Sequence, residues 1–341
     1  MIRWALPVLV ASLIISPRIW AISEGNFGPT YREKVLPFLE SGERFTFQSA
    51  DGHHALSAVR FIHPKEKGMI VVVNGRSESW LKYGEVFYDF YVQGYSVTSY
   101  DHRGQGLSPR LIGGNPQIGY IDEFNVYVED LNAFVERAVI PMHPGGKGLF
   151  LIAHSMGAVV AMSYLEKYTS PFEGVVLIAP MFEINTAPYP GLIARGITGT
   201  LQSLGLGRLY APGEHDRNPT EPFESNKVTG SRSRWEAMCD TWRTHAEAVT
   251  GGASISWVNK ALSSISSVRN SISRVRERIL ILQAGRDQLV MNGPQNEVAA
   301  TLPCATLVNL PDSKHEILME RDPIRSAAFR EMKRFFNTSG K

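Results

Sequence analysis

The stretch "LIAHSMGAVV", Leu151 to Val160, runs from an apolar segment through a histidine to a lone serine, Ser155, and then into a helix-like segment opened by Gly157. Small residues stand two positions before and two after the serine, at Ala153 and Gly157. This is the G-x-S-x-G spacing with alanine for the first glycine. It describes a tight strand-to-helix turn whose closely passing backbones expose the serine hydroxyl. A serine at the carboxyl end of a central parallel strand lies where open α/β sheets bind ligands. Serine is a weak nucleophile at its own pKa, so the reading requires a base and an acid further along the chain.

Working outward, strand-like runs recur at "RFTFQS" near Phe45, "ALSAVRFI" near Val59, "MIVVVNG" at Met69 and "YSVTSYD" at Tyr95. They continue at "LFLIAHS" at Leu149, "VVLIAPM" at Val175, "ILILQAG" at Ile279 and "TLVNLPD" at Thr306. Several are unbroken Val/Ile/Leu runs, the mark of strands buried on both faces in a mostly parallel sheet covered by helices. The first two alternate apolar and polar residues, which predicts an antiparallel start. Apolar residues spaced by three and four in "WLKYGEVFYDFYVQG", "FNVYVEDLNAFVERAV" and "GAVVAMSYLEKY" predict helices packed on the sheet. A last helix is predicted at "DPIRSAAFREMKRFF", with Asp322 as N-cap and Pro323 in its first turn. From Phe182 to Val268 no strong strand pattern occurs and Gly, Pro, Ser and Arg are frequent. Insertions of that size on a regular frame serve as caps or lids. The predicted division is a core over 31–181 and 269–337 with a cap over 182–268.

Acid and base follow the serine in order. "ILILQAGRDQLV" places Asp287 just beyond a buried strand, and "LVNLPDSKHEILME" places His315 after the last one. Ser, Asp, His is the chain order of a hydrolase triad built on such a sheet. Asp101 and Asp312 compete for the acid's place, the first on another strand and the second close to His315 in one loop. Acyl transfer also needs donors aimed at the developing oxyanion. The backbone N–H of Met156 is one. The other is that of Arg76, in the loop after "MIVVVNG", where Asn74 and Gly75 turn the chain and only the backbone of Arg76 is required. "YDHRGQGLS", Tyr100 to Ser108, lacks phosphate-loop spacing and reads as support. His54, His102, His154 and His215 show no metal-ligand spacing, so no metal or cofactor is expected. His154 is expected to point away from the site, because neighbouring strand residues face opposite sides.

The 341 residues carry 35 basic and 33 acidic side chains with no long run of either sign, which argues against a nucleic-acid partner. Cys239 and Cys304 form no CxxC pair, and their pairing is left open. "MIRWALPVLVASLIISPRIWA" has a basic start at Arg3, an apolar run from Ala5 to Ile15 and a small residue at Ala21. Residues 1–21 therefore read as a secretory signal or N-terminal membrane anchor, which places the protein in the periplasm, on the periplasmic face of the inner membrane, or outside the cell. The alternative is a cytoplasmic protein touching the membrane.

Together with "NGRSESWLKYGEVFYDFYVQGYSVTSYDHRGQGLSPR", "DEFNVYVEDL", "APMF" and "KHEILMERD", these features resemble the bacterial inner-membrane lysophospholipases, a branch of the monoacylglycerol-lipase-like α/β hydrolases, over Tyr31 to Asn337. The resemblance implies the α/β-hydrolase fold: a mostly parallel eight-stranded sheet flanked by helices, with an inserted cap. It places the nucleophile at Ser155, the base at His315 and the oxyanion donors at Arg76 and Met156. The acid's segment is less regular in that branch, and the pattern of the general lipases favours Asp287. Asn74-Gly75 stands where the wider lipases have His-Gly. The implied substrate is a lysophospholipid or monoacylglycerol met at a membrane surface. A monoacylglycerol lipase or general carboxylesterase would use the same triad, and a non-catalytic binding protein on this fold would lack a triad member. In the cap, Trp235, Trp242 and Trp257 are candidates for an acyl tunnel or for core packing. Arg232, Arg234 and Arg243 are candidates for attracting a phosphate head group.

Overall fold

A computed structural model describes residues 22–143 and 148–338; the signal or anchor expected at 1–21 lies outside the described residues. A helical lead-in, α1 (Phe27–Thr30) and α2 (Leu36–Ser41), precedes β1 (Glu43–Gln48), β2 (Ala55–Phe61), β3 (Gly68–Val73), α3 (Gly84–Tyr91) and β4 (Tyr95–Tyr100). Next come α4 (Asn125–Phe134), β5 (Leu149–His154), α5 (Met156–Lys167) and β6 (Gly174–Ile178). Three helices follow, α6 (Gly191–Ser203), α7 (Arg232–Thr244) and α8 (Ile255–Ser271), before β7 (Ile279–Ala284), α9 (Asn292–Thr301), β8 (Ala305–Leu310) and α10 (Asp322–Asn337).

Every strand expected from the sequence forms. They make one eight-stranded sheet in the order β1-β2-β4-β3-β5-β6-β7-β8. β1 pairs antiparallel with β2 and β2 with β4, while all other pairings are parallel. β3 to β7 are buried along their whole length, as the apolar runs of β3, β5, β6 and β7 require, while in β4 the buried hydroxyls of Ser96, Thr98 and Ser99 bond backbone groups. Alternate residues go to opposite faces. Val71, Val73, Leu151, Ala153 and Leu177 pack with α4 and α5. Ile70, Val72, Ile152, Val176 and Leu280 pack with α3 and α10. From β3 the chain crosses to β4 on one side and returns to β5 on the other. The crevice where a doubly wound sheet binds ligands therefore opens between the carboxyl ends of β3 and β5.

The segment from 182 to 268 does not stand apart as a whole. Trp235, Met238, Cys239 and Trp242 of α7 join the α3 and α10 face of the core, and Trp257, Ala261, Ile265 and Val268 of α8 join the α5 face. The three tryptophans are buried and pack in the core. α6 and its flanks are different: Leu192 is 83% exposed and Leu204 69%, with Tyr189, Ile193, Ile197 and Leu209 exposed beside them. Cys239 is buried and Cys304 exposed, and both are free thiols.

The three arginines proposed for a head group are occupied by carboxylates. Arg232 pairs with Glu224, and Arg243 with Asp240. Arg234 is buried, bonding Glu85 at 2.9 Å, Asp322 at 3.0 Å and the Ile22 carbonyl at 2.7 Å, and so ties the lead-in, α3, α7 and α10 together. Asp322 is the first residue of α10 and not its cap, which is Arg321. Its carboxylate accepts the Glu24 N–H at 2.8 Å and so is drawn away from its own helix end.

Trp242→Ala tests whether α7 belongs to the core. Truncating a fully buried Trp costs about 3–5 kcal/mol, read as a lowered urea midpoint; a helix merely resting on the surface would lose under about 1 kcal/mol.

Candidate active site

The turn between β5 and α5 is held in a conformation only a packed environment sustains. Ser155 has φ 50° and ψ −113°, a strained pair for a residue with a Cβ. Its N–H bonds Ile178 O at 2.9 Å and its carbonyl accepts the N–H groups of Ala158 and Met181 at 3.1 and 3.2 Å. A Cβ at Gly157 would lie 2.6 Å from the carbonyl oxygens of both Val73 and Asn74. Glycine there lets α5 start directly against the end of β3, while Ala153 pairs with Val73 and fills the core.

On the far side, β7 and β8 bring the acid to the base. A Cβ at Gly285 would come 2.5 Å from Pro311, so the two loops can run side by side. Arg286 N–H bonds Ser313 O at 2.8 Å and fixes their register. Asp287 Oδ2 then lies 2.7 Å from His315 Nδ1, and its Oδ1 accepts the N–H groups of Leu289 and Val290 at 2.8 and 3.1 Å. Burial would raise the Asp287 carboxyl, but the hydrogen bond and charge of His315 and the two N–H groups outweigh it and hold it below the ordinary carboxylate range. The rival acids are committed elsewhere: Asp312 pairs with Arg286 at the surface, and Asp101 accepts from Asn74, Ser79, Trp80 and Leu107. The His315 ring lies 4.8 Å from that of His154, the residue before Ser155, and makes no hydrogen bond to Ser155 Oγ. Such bonds are often long without substrate.

The N–H groups of Met156 and Arg76 are free of protein partners among the described residues. Met156 opens α5, where the first N–H groups have no intrahelical acceptor. The Arg76 side chain is not free to vary, as the sequence suggested. Its guanidinium bonds Gly251 O at 3.1 Å, approaches Glu214 at 3.7 Å and stacks 5.2 Å from the Trp257 ring. Ser77 Oγ donates to the same Gly251 carbonyl at 2.6 Å, so the loop after β3 is stitched to the segment before α8. The His315 loop is clasped likewise, Glu316 N–H bonding Val228 O at 2.8 Å. A cleft of about 440 Å³ between α6, α8 and α9, lined by Leu192, Arg195, Arg269 and Glu297 among others, takes in none of Ser155, Asp287 and His315.

Behind the elbow lies a buried cluster that the sequence reading missed. Glu78 accepts the Gly75 N–H at 2.5 Å and the Tyr83 hydroxyl at 2.6 Å, lies 3.1 Å from His154 Nδ1 and bonds Lys82. Lys82 also bonds Glu316 at 2.6 Å. His154 thus turns away from the crevice but supports it, its Nε2 lying 3.4 Å from the His315 carbonyl. Glu78, His154 and Glu316 bring possible metal-ligand atoms within 4.8 Å of one another, but Lys82 already supplies the cation between the carboxylates. Burial works against charge on Glu78, Lys82 and His154. The opposite charges outweigh it, holding Glu78 well below its ordinary value and Lys82 and His154 above theirs. The i, i+4 spacing of Glu78 and Lys82 was the available signal. Glu316 had none, because its partners are distant in sequence.

The family profile Hydrolase_4, described as serine aminopeptidase, S33, matches residues 64–322. The chain is 33% identical over 321 residues to the probable lysophospholipase L2 of Haemophilus influenzae, covering 93% of this chain and 99% of that protein. It is 31% identical over 335 residues to the lysophospholipase L2 of Escherichia coli K12, covering 93% and 94%. Among solved structures, a soluble variant of the Saccharomyces cerevisiae monoglyceride lipase with a substrate analog superposes at a TM-score of 0.69 and 16% identity, covering 88% of this chain and 95% of that one, a likeness of fold.

A histidine whose native pKa exceeds its ordinary 6.5 contributes stability fully below that value and loses it as pH rises through the native pKa. The wild type's stability advantage over His154→Gln, from urea midpoints, should therefore shrink from pH 6 to pH 9, by at most about 1.4 kcal/mol per pH unit. An advantage that grows with pH would show His154 to be neutral in the native state.

Proposed function

The chain belongs to the Hydrolase_4 family, serine aminopeptidase, S33, and we propose that it is a serine ester hydrolase that releases the fatty acid of a lysophospholipid through an acyl-enzyme. The observation that carries this reading is the pairing of His315 with Asp287 at 2.7 Å, with the His315 ring 4.8 Å from that of His154, the residue before Ser155 on its strained elbow. With Nδ1 held by Asp287, His315 keeps Nε2 for the proton of the Ser155 hydroxyl as Oγ attacks the ester carbonyl. The N–H groups of Arg76 and Met156 receive the oxyanion. Collapse expels the glycerophosphoryl alcohol, which takes the proton from His315. A water activated by the same imidazole then releases the fatty acid and restores Ser155. The family's description names an aminopeptidase, but relatives matched over nearly their whole length are lysophospholipases, and it is they that point to the ester.

One feature favours a phosphate-bearing substrate over a neutral monoacylglycerol. Arg217 bonds the carbonyls of Thr250 at 3.1 Å and Ser77 at 3.4 Å and lies 5.6 Å from the Trp242 ring, with no carboxylate partner among the described residues. A guanidinium beside the loop of Arg76 and in no ion pair among the described residues suits a phosphodiester. The exposed apolar side chains of α6 and its flanks, led by Leu192 and Leu204, fit docking on a lipid surface. No helix among the described residues is long and apolar enough to cross a membrane. The signal-like sequence of residues 1–21 and the exposed side chains of α6 together support a protein that works at a membrane surface, in the periplasm or outside the cell.

The test is fatty-acid release from lysophosphatidylethanolamine, monoolein and a short p-nitrophenyl ester. Release from the lysophospholipid should be abolished by Ser155→Ala and lowered about 10⁴-fold in kcat by Asp287→Asn, the loss typical of a triad left with the wrong imidazole tautomer. Activity confined to monoolein or the short ester would replace the substrate, and full activity in Ser155→Ala would overturn the serine mechanism.

A further inference from the structure

The Arg76 N–H belongs to the peptide whose carbonyl is that of Gly75. In a trans peptide the C=O and N–H point in opposite directions, so whatever holds the carbonyl aims the N–H. The Gly75 carbonyl accepts Gln105 Nε2 at 2.7 Å. The same side-chain amide also takes the next peptide: Gln105 Oε1 accepts the Ser77 N–H at 3.2 Å. Gln105 therefore brackets Arg76 on both sides. From these contacts, and resting on the ester-hydrolase reading above, we infer that Gln105 is a positioning residue for the oxyanion site, setting the direction of the Arg76 N–H from the loop after β4.

The surroundings leave the amide one orientation. Nε2 meets three acceptors, the carbonyls of Gly75 and Glu78 and Asn74 Oδ1, at 2.7, 3.2 and 3.3 Å, whereas Oε1 meets the Ser77 donor. A flipped amide would set its oxygen against three oxygens. The loop carrying Gln105 is itself fixed. Gly104 and Gly106 on either side have φ of +83° and +57°, and a Cβ at Gly106 would fall 2.1 Å from Asp101 Oδ2. Asp101 Oδ2 accepts the Leu107 N–H and its Oδ1 the Trp80 N–H, both at 2.7 Å, binding the Gln105 loop to the chain just past Arg76. Gln105 is 3% exposed, so no water competes for these bonds. Ser77 at φ 58° completes a loop whose strain the amide on one side and Gly251 on the other must hold.

Gln105→Met keeps length and shape without a donor, Gln105→Glu replaces the donor by a second oxygen, and Gln105→His offers a ring N–H in its place. Full-length wild type and variants are assayed on a lysophospholipid and titrated with two long-chain ligands. One is an alkyl trifluoromethyl ketone, to which Ser155 Oγ adds while its proton passes to His315, leaving a hemiketal oxyanion at Arg76 and Met156. The other is an ether lysophospholipid, which binds without forming an oxyanion. Losing one oxyanion donor costs about 10²–10³-fold in kcat, and misdirecting it should cost about 10–100-fold in the Met and Glu variants. The inhibition constant of the ketone should weaken in parallel, while KM and ether-lipid affinity stay within about 3-fold, and Gln105→His should recover part of the loss. Unchanged kcat and ketone affinity in Gln105→Met would overturn the inference. So would an equal loss of ether-lipid binding, or a fall in kcat that tracks a lowered unfolding midpoint, since a merely structural residue behaves that way. A wild type that binds the ketone no more tightly than the ether would overturn the oxyanion reading itself, apart from any role of Gln105.

Discussion

The contact on which the rest of this structure depends is that between the start of α5 and the end of β3. The backbone of Gly157 lies so close to the carbonyls of Val73 and Asn74 that no side chain fits between them. That approach brings the Ser155 turn and the loop after β3 into one crevice. It becomes available because the sheet order puts β3 beside β5. The Ser155 backbone strain, a cost of about 1–3 kcal/mol, persists because the neighbouring strand and the Met181 N–H leave the turn no alternative.

Around this contact, polar groups rather than apolar ones do the positioning. Glu78 takes the Gly75 N–H, Gln105 the Gly75 carbonyl and Asp287 the His315 ring, each from a different loop. Glu78 is affordable in a dry interior because two carboxylates there, Glu78 and Glu316, face two cations, Lys82 and His154. Breaking one member would leave an uncompensated buried charge. One cluster thus braces both halves of the site, the loop after β3 through Gly75 and His315 through the His154 ring and the His315 carbonyl.

The segment between β6 and β7 joins this bracing. Gly251 receives Arg76 and Ser77, and Val228 receives the residue after His315. α7 and α8 lock that segment into the core through their tryptophans, leaving α6 as the part whose apolar residues meet solvent. The bracing of the site is thereby carried by the stretches just before α7 and α8 and not by α6.

Read alone, the sequence already determined what depends on local pattern. Apolar runs and, in the first two, alternation named all eight strands, the small residues around Ser155 named the elbow, and chain order after β7 and β8 named Asp287 and His315. These were legible because periodicity, turn chemistry and strand ends are properties of neighbouring residues. What only the tertiary structure decided was which polar side chains are buried together. Arg234 reads like Arg232 in the sequence, yet one is enclosed by Glu85 and Asp322 and the other lies exposed. Gln105 and Glu316 carry no local signal of their tasks, because the Gly75 carbonyl and Lys82 lie 30 and 234 positions away, and the spacing of Glu78 and Lys82 says nothing of His154, 76 positions on. The energy of a buried charge or amide is set by the groups that enclose it, and that enclosure exists only once the sheet has closed.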